Sequence, residues 1–182
     1  MFIQTQPTPN PQTMKFIPGV TVLTSGTLSF AQGDEVKHEP LVKALFEIPG
    51  VVGIFLAEEF VTITKQPNMD WTVLKPMVLT VLLDHFASGR PAVLAHASNT
   101  VSTTGVEDEI VQQIKAIIEE QVRPAVAQDG GDIVFHKFVD GVVYLELHGS
   151  CSGCPSSTIT LKNGIENMLR HYIPEVQSVE AI

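Results

Sequence analysis

The stretch IVFHKFVDGVVYLELHGSCSGCPSS, residues 133–157, determines how the second half of the chain is expected to fold. Runs of strand-forming residues lie on both sides of a central DG pair, a pattern typical of a β-hairpin. Two glycines around the first cysteine then allow a sharp turn, and Pro155 suits the first turn of a helix, where its missing N–H costs nothing. The only two cysteines of the chain, Cys151 and Cys154, are therefore predicted to lie at a strand-to-helix junction.

Helices are predicted on both sides of this hairpin, and a last strand closes the unit. The stretch EDEIVQQIKAIIEEQVRP has acids in its first turn, where the helix dipole favours them, and Pro124 is expected to end it. Its apolar face consists of Ile110, Ile114, Ile117, Ile118 and Val122. The DGGD stretch that follows, residues 129–132, predicts a turn that needs positive φ.

The helix after the cysteines covers residues 156–173, with a buried face of Leu161, Ile165, Met168, Leu169 and Tyr172. Gly164 inside it costs about 1 kcal/mol against alanine, and backbone crowding is the expected reason for it. VQSVEAI then predicts a strand, so the order is α–β–β–α–β.

The first half is predicted to be a small α+β sandwich. It begins with the extended piece MFIQTQ and a stiff PTPNP loop, because three alternating prolines exclude a helix or a central strand. MKFIPG and VTVLTSGTLSF predict further strands, and VVGIFLAEEFVTITK predicts a hairpin with two glutamates at its tip.

Two helices are predicted in the same half. EPLVKALFEIPG has Pro40 in its first turn, an apolar face of Leu41, Leu45 and Ile48, and a Pro-Gly end. NMDWTVLKPMVLTVLLDHFASG predicts a long helix capped at Asn68 or Asp70 and closed by Gly89, with Pro76 tolerable in an early turn. Its inward face is Trp71, Leu74, Val78, Val81, Leu82, His85 and Phe86.

The segment between the halves, AHASNTVSTTGVE, is rich in small polar residues and has no apolar periodicity, which favours an interdomain linker over a surface loop. We expect domains at residues 1–94 and 107–182, with a linker at 95–106. Residues 1–95 contain 8 acids and 6 bases, and residues 96–182 contain 12 and 5, so the net charge of −9 divides into −2 and −7. This acidic balance argues against a nucleic-acid partner, whose phosphates require Lys and Arg.

The apolar runs are too short to span a bilayer, which takes about 20 residues, so no membrane association is expected. No stretch has the features of a signal or transit peptide, which predicts a cytoplasmic, bacterial protein or, as the alternative, a mature mitochondrial form. No Ser/His/Asp set, Walker loop or GxGxxG is evident, and we expect a protein that is not an enzyme.

The cysteine pair allows three interpretations. Inert core cysteines are disfavoured because Gly, Ser and Pro around them supply no apolar pocket. A thioredoxin-like redox pair is also found at a strand–CxxC–helix turn, but it is expected to follow a βαβ pattern and here a hairpin precedes it. The third interpretation is a soft-metal site, for which the helix N-terminus beside Cys154 is expected to lower the thiol pKa.

A zinc ion and an iron–sulfur cluster both ordinarily take four protein ligands, and one chain brings two thiols. His148 lies three residues before Cys151 but is more typical of a surface strand residue, and neither His136 nor His171 is better placed. A second copy of the chain supplies the missing ligands more simply, with two CxxC motifs across a two-fold axis. The spacing leaves the choice between zinc and iron open.

Two longer stretches resemble a known family. RPAVAQDGGD and DGVVYLELHGSCSGCPSSTITLKNGIENMLRHYIPEV, within residues 123–176, resemble the C-terminal domain of NifU-like (Nfu-type) iron–sulfur scaffold and carrier proteins. FIQTQPTPNPQTMKFIPG and DWTVLKP resemble the N-terminal domain that accompanies it in mitochondrial and related bacterial members. One local difference is Ser150, where the resemblance leads us to expect alanine, and the change is expected to be harmless.

The resemblance implies that Cys151 and Cys154 ligate a [4Fe–4S] cluster shared between two subunits of a homodimer. It further implies that upstream assembly proteins supply the cluster and that recipient apoproteins receive it. For the N-terminal domain it implies no catalytic residue, and a docking or stabilising role is expected.

Overall fold

The computed structural model describes residues 2–94, 109–152 and 155–182. The chain divides into two compact units, Met1–Asn99 and Thr100–Ile182. The predicted linker, residues 95–106, lies outside the described residues, so the predicted domain boundaries stay a prediction. No helix in the described ranges is long and apolar enough to cross a bilayer.

The first unit contains a five-stranded antiparallel sheet and two helices in its described part. The strands are β1 (Gln4–Pro7), β2 (Thr13–Ile17), β3 (Leu28–Ala31), β4 (Val51–Leu56) and β5 (Val61–Lys65), in the spatial order β1-β2-β5-β4-β3. The helices are α1 (Pro40–Phe46) and α2 (Trp71–Ala87). The predicted α+β class, the β4–β5 hairpin and the strand at MKFIPG are confirmed.

One face of this sheet and both helices share a single core. Alternation along paired strands puts Phe16, Ile54 and Ile63 on that face, each at most 2% exposed. Helix α1 buries its predicted Leu41 and Leu45, and α2 buries Leu74, Val78, Leu82 and His85 of its predicted inward face.

The ends of these helices follow local rules. Pro40 is the first residue of α1. Asp70 caps α2, because its carboxylate accepts the N–H of Thr72 at 2.7 Å, and Gly89 follows the helix with φ +67°. The strand predicted across VTVLTSGTLSF is wrong except at β3, since the N–H groups of Val22 and Leu23 instead donate to the carbonyl of Glu58 across a loop.

The second unit has the predicted order α–β–β–α–β. Its helices are α3 (Glu109–Ile117), α4 (Arg123–Gln128) and α5 (Pro155–Tyr172), and its strands are β6 (Gly131–Val139), β7 (Val142–Gly149) and β8 (Ser178–Ala181). Strands β6 and β7 pair antiparallel, and β8 lies parallel to β7 at the edge of a three-stranded sheet. Positive φ values of 51° and 79° at Asp140 and Gly141 confirm the DG hairpin.

Pro124 does not end the first helix of this unit, contrary to the prediction. A π-helical turn, Ile118–Val122, leads from α3 into α4, and the N–H of Arg123 donates to the carbonyl of Ile118, five residues back. The wider turn makes Pro124 an early residue of α4, where a missing N–H is tolerated.

Two expectations about α5 are wrong. Tyr172 is 55% exposed, and the next residue, Ile173, occupies the buried position at 1%. Gly164 is not crowded, because a Cβ added there meets no atom within 4 Å. The predicted Ile165 and Leu169 are buried, with Leu161 and Met168 packed against them.

Candidate metal centre

Cys151 lies on a short turn that connects β7 to α5. Gly149 ends the strand with φ +64°, and the N–H of Ser152 donates to its carbonyl at 3.2 Å. The hydroxyl of Thr158, on α5, donates to the carbonyl of Cys151 at 3.3 Å. The turn is therefore tied both to the strand before it and to the helix after it.

The Cys151 thiol occupies the space that Gly131 leaves open at the start of β6. A Cβ added to Gly131 would lie 2.5 Å from Sγ of Cys151, 2.9 Å from the carbonyl oxygen of His148 and 3.1 Å from the Cys151 nitrogen. All three separations are shorter than Cβ atoms ordinarily allow. Of the DGGD stretch, Gly130 supplies the predicted positive φ, at 79°, and Gly131 supplies room for the thiol.

Cys151 is buried, with 7% of its surface exposed, and it packs in the core cluster of the second unit. Burial raises the pKa of this thiol to about 11; the hydrogen bond with Ser150 opposes the rise, and the charges of Asp129 and Asp132 add to it. The expected lowering of a thiol pKa concerns Cys154 beside the helix N-terminus, which lies outside the described residues; at Cys151 loss of solvation is the largest effect and raises the pKa instead.

Ser150 links the cysteine turn to the DGGD turn. Its hydroxyl donates to the backbone carbonyl of Asp129, and its N–H donates to the carbonyl of Gly130 at 3.2 Å. The side chain is 3% exposed. A buried serine at this position thus makes a partly buried hydrogen bond to Asp129 that alanine would lack.

A bidentate ion pair fixes the other end of the DGGD turn. Nε and Nη2 of Arg123 donate to the two carboxylate oxygens of Asp132 at 2.8 and 2.9 Å, and Nη1 donates to Glu119 at 2.6 Å. The hydrogen bonds to Asp132 and then Glu119 raise the pKa of the Arg123 guanidinium. Asp132 is 3% exposed and also accepts the N–H of Ile133 at 2.8 Å.

The second predicted ligand and the three histidines weighed as alternatives have different outcomes. Cys154 lies outside the described residues, so its role as a ligand stays a prediction. His148 lies 3.6 Å from a carboxylate oxygen of Glu146, and both His136 and His171 are exposed. Within the described ranges, no three His, Cys, Asp or Glu side chains are grouped closely enough to hold a metal ion.

Sequence reasoning missed Gly131, Ser150 and the Arg123–Asp132 pair as parts of this site. Only the strand register could have indicated Gly131 from the sequence, because counting back from the DG turn brings the start of β6 opposite the end of β7. A bulge between Phe135 and Lys137 shifts that count by one residue, so that Gly131 pairs with Gly149.

The geometry around Cys151 is compatible with a role as one thiolate ligand of a soft metal. Cys151 lies on a short turn after a glycine with positive φ, and its thiol fits against a position where only glycine leaves space. Ligation requires thiolate, so this buried thiol has to lose its proton and turn outward to reach a metal. A thiol held on a strand-to-helix turn in this way is a feature expected of a metal-binding scaffold.

Comparison with known proteins identifies the family. Residues 3–89 match the family described as "Scaffold protein Nfu/NifU N terminal", and residues 114–180 match the "NifU-like domain". The NFU1 iron-sulfur cluster scaffold homolog, mitochondrial, of Homo sapiens is 46% identical over 183 residues, covering 100% of this chain and 72% of that protein. The protein of the same description from Drosophila sechellia is 51% identical over 185 residues, covering 100% of this chain and 65% of that protein.

The chain belongs to this family of Nfu-type scaffold proteins, and it spans about two thirds of the length of the Drosophila relatives. A solution NMR structure of a NifU-like protein from Saccharomyces cerevisiae is also similar, with a TM-score of 0.49 and 25% identity over 53% of this chain and 87% of that one. Both predicted resemblances are thereby confirmed, as is the expectation that the family is one of scaffolds and not of enzymes.

Proposed function

We propose that two copies of the chain hold one [4Fe–4S] cluster through Cys151 and Cys154 of each copy and pass it to recipient apoproteins. The observation that carries this proposal is the thiol pair at the β7–α5 turn, the only cysteines of a chain in the scaffold family. Iron–sulfur clusters take four thiolates, and one chain offers two.

The arrangement around Cys151 suits temporary binding of a cluster as cargo. The turn is anchored by backbone and hydroxyl hydrogen bonds on both sides, which holds the thiol in a defined place. Cys151 is also stable without metal, because it is packed beside Gly131 and protonated at neutral pH. Thiols of a recipient can then displace Cys151 and Cys154 by ligand exchange, and Cys151 has a buried site to which it returns.

The partners in this proposal are a second copy of the chain, upstream proteins that supply the cluster, and the recipients. A mitochondrial compartment is part of the proposal and is supported by the relatives, which are described as mitochondrial. That description favours the mature mitochondrial form over the bacterial cytoplasmic one.

Anaerobic reconstitution with iron and sulfide tests the proposal. We expect a brown protein with about four irons per dimer, the stoichiometry that four thiolates imply. Cys151→Ala and Cys154→Ala should each abolish cluster binding without unfolding the chain. Ser152→Ala is the matched control: it removes the hydroxyl hydrogen bond to the carbonyl of Gly149 in the same turn but no thiol, and it should still bind about four irons per dimer.

Three outcomes would contradict the proposal. A cysteine variant that still binds iron normally would remove that residue as a ligand, and a cluster-loaded monomer would exclude sharing. A colourless product that retains zinc would favour a zinc site. Catalytic reduction of insulin disulfides by the chain would favour the redox interpretation of the pair.

A further inference from the structure

One face of α5 is exposed and carries no charge along its first three turns. Ile159, Asn163 and Asn167 are spaced by four residues, and Thr160 and Gly164 form the adjacent row, so all five lie on one side of the helix. All five residues are exposed, and Ile159 is exposed to 60%. We refer to these five residues as the α5 face.

The charges of the same helix point elsewhere. Nζ of Lys162 lies 3.0 Å from a carboxylate oxygen of Glu180 on β8, and Glu166 accepts the N–H of Val179 at 3.1 Å. Nη1 of Arg170 lies 3.7 Å from Glu166. Lys162 and Glu166 are thus directed to the sheet edge. Arg170 lies beyond Asn167 near the end of the helix, so the α5 face is neutral in a half of the chain that carries −7.

Gly164 is the second unusual feature of this face. It lies inside an α-helix, where glycine is unfavourable, and neither positive φ nor a nearby atom of the chain explains it. A helical glycine at an open surface leaves room for the close approach of another backbone. Depletion of charge together with an exposed isoleucine is also typical of the centre of a protein–protein interface.

We propose that the α5 face packs against a second copy of the chain and forms the interface of the cluster-loaded dimer. This inference rests on the proposed function, because the cluster site is incomplete without the cysteines of a second copy. The helix begins at Pro155, directly after Cys154, so a partner that shares the cluster must lie against the first turns of α5. The neutral face minimises repulsion between two acidic copies.

An interface of ordinary size centred on the cysteine turn would include Gly164. A patch of about 800 Å² per partner corresponds to a radius of about 16 Å around the cysteine turn. Gly164 is nine residues into α5, about 14 Å along the helix at 1.5 Å per residue, and therefore falls inside that patch. Val139 lies at the far end of the β6–β7 hairpin, where it pairs with Val142. Val142 is seven residues, or about 24 Å of strand, from Gly149, so Val139 falls outside the patch.

Three variants of the full chain test the inference. Ile159→Asp places a charge in the proposed interface, and Gly164→Leu fills the space that a partner backbone would use. Val139→Asp is the matched control, since Val139 is 47% exposed in the same unit but lies outside the patch. Gly164→Leu has no neighbour to disturb in the single chain, so its fold should be retained, which circular dichroism checks.

The readout is anaerobic sedimentation of reconstituted protein, together with the rate at which the cluster is lost to a chelator. We expect the two α5-face variants to weaken the loaded dimer about tenfold or more and to speed cluster loss to a similar degree, while Val139→Asp behaves like wild type. Loaded dimers of unchanged affinity in both α5-face variants would overturn the inference and leave the proposed function intact. Equal damage by Val139→Asp would overturn it too, and failure of wild type to form a loaded dimer would refute the proposed function itself.

Discussion

Replacing Gly131 by alanine should displace the Cys151 thiol and destabilise the second unit. The added Cβ would lie 2.5 Å from Sγ of Cys151, and ordinary contact begins at 3.4 Å, so Sγ must retreat by about 0.9 Å (3.4 − 2.5). The carbonyl of His148 must retreat by about 0.5 Å (3.4 − 2.9) as well. The thiol can rotate, but the carbonyl belongs to the backbone of β7, which is paired with β6.

The expected cost in stability comes mainly from the β7 carbonyl, which cannot move as easily as the thiol. Inserting a methyl group into a well-packed site typically costs about 1–3 kcal/mol, because the backbone cannot move cheaply. For a unit of this size, each kcal/mol lowers the melting temperature by about 4–8 °C. The second unit should therefore melt at least about 4 °C lower.

Gly164→Ala is the matched control. It is the same chemical change in the same unit, but the new Cβ meets no atom within 4 Å and φ at this position is not positive. Relief of the helical glycine should stabilise the unit without cluster by up to about 1 kcal/mol. The two alanine variants should therefore shift the melting temperature in opposite directions.

Scanning calorimetry of the full chain, with fluorescence in parallel, separates the two units. Trp71 is the only tryptophan and belongs to the first unit, so its transition should be the same in wild type and both variants. A Gly131→Ala protein that melts within 1 °C of wild type would refute the reasoning, since the packing of the thiol would then not depend on that space.

Three further predictions concern single side chains. Arg123→Lys replaces the bidentate ion pair with Asp132 by a single ammonium group. The free energy of unfolding of the second unit in urea should fall by about 1–3 kcal/mol. An unchanged urea midpoint would mean that the ion pair does not stabilise the unit. Ser150→Ala leaves the Asp129 carbonyl without its buried donor and should cost about 1 kcal/mol, whereas an equally stable variant would support the expectation that this position is indifferent. Burial lowers the pKa of His85, so the folded first unit binds fewer protons than the unfolded chain near neutral pH. The stability of that unit, measured by tryptophan fluorescence, should therefore decrease as the pH falls below the ordinary histidine pKa of 6.5. His85→Gln should flatten this pH dependence, and an equal slope in both proteins would contradict the assignment.

Features set by neighbouring residues could be predicted from the sequence. The DG pair needs two positive φ values, the Asp70 cap needs an N–H two residues on, and the apolar faces of α1 and α3 follow helical spacing. In each case the physical cause lies within a few residues. The α+β class and the α–β–β–α–β order follow from such features added along the chain.

Features set by contacts between distant residues could not be predicted. Burial of Cys151 depends on Gly131, twenty residues earlier, and on a bulge that sets the strand register. The path of the chain through Pro124 depends on a π-helical turn, which a rule about proline alone does not anticipate. A glycine in a helix also has no unique explanation in sequence, and the open space around Gly164 excludes crowding within the chain.

The burial of Cys151 and the task of a scaffold are physically connected. A cluster carrier has to bind its cargo and then release it, so its binding free energy must be limited. Under the proposed function, Cys151 would lose its packing beside Gly131 on turning outward to ligate a cluster and would regain it when the cluster leaves. The contacts that stabilise the chain without metal would then lower its affinity for the cluster and favour transfer to a recipient whose cysteines are already exposed.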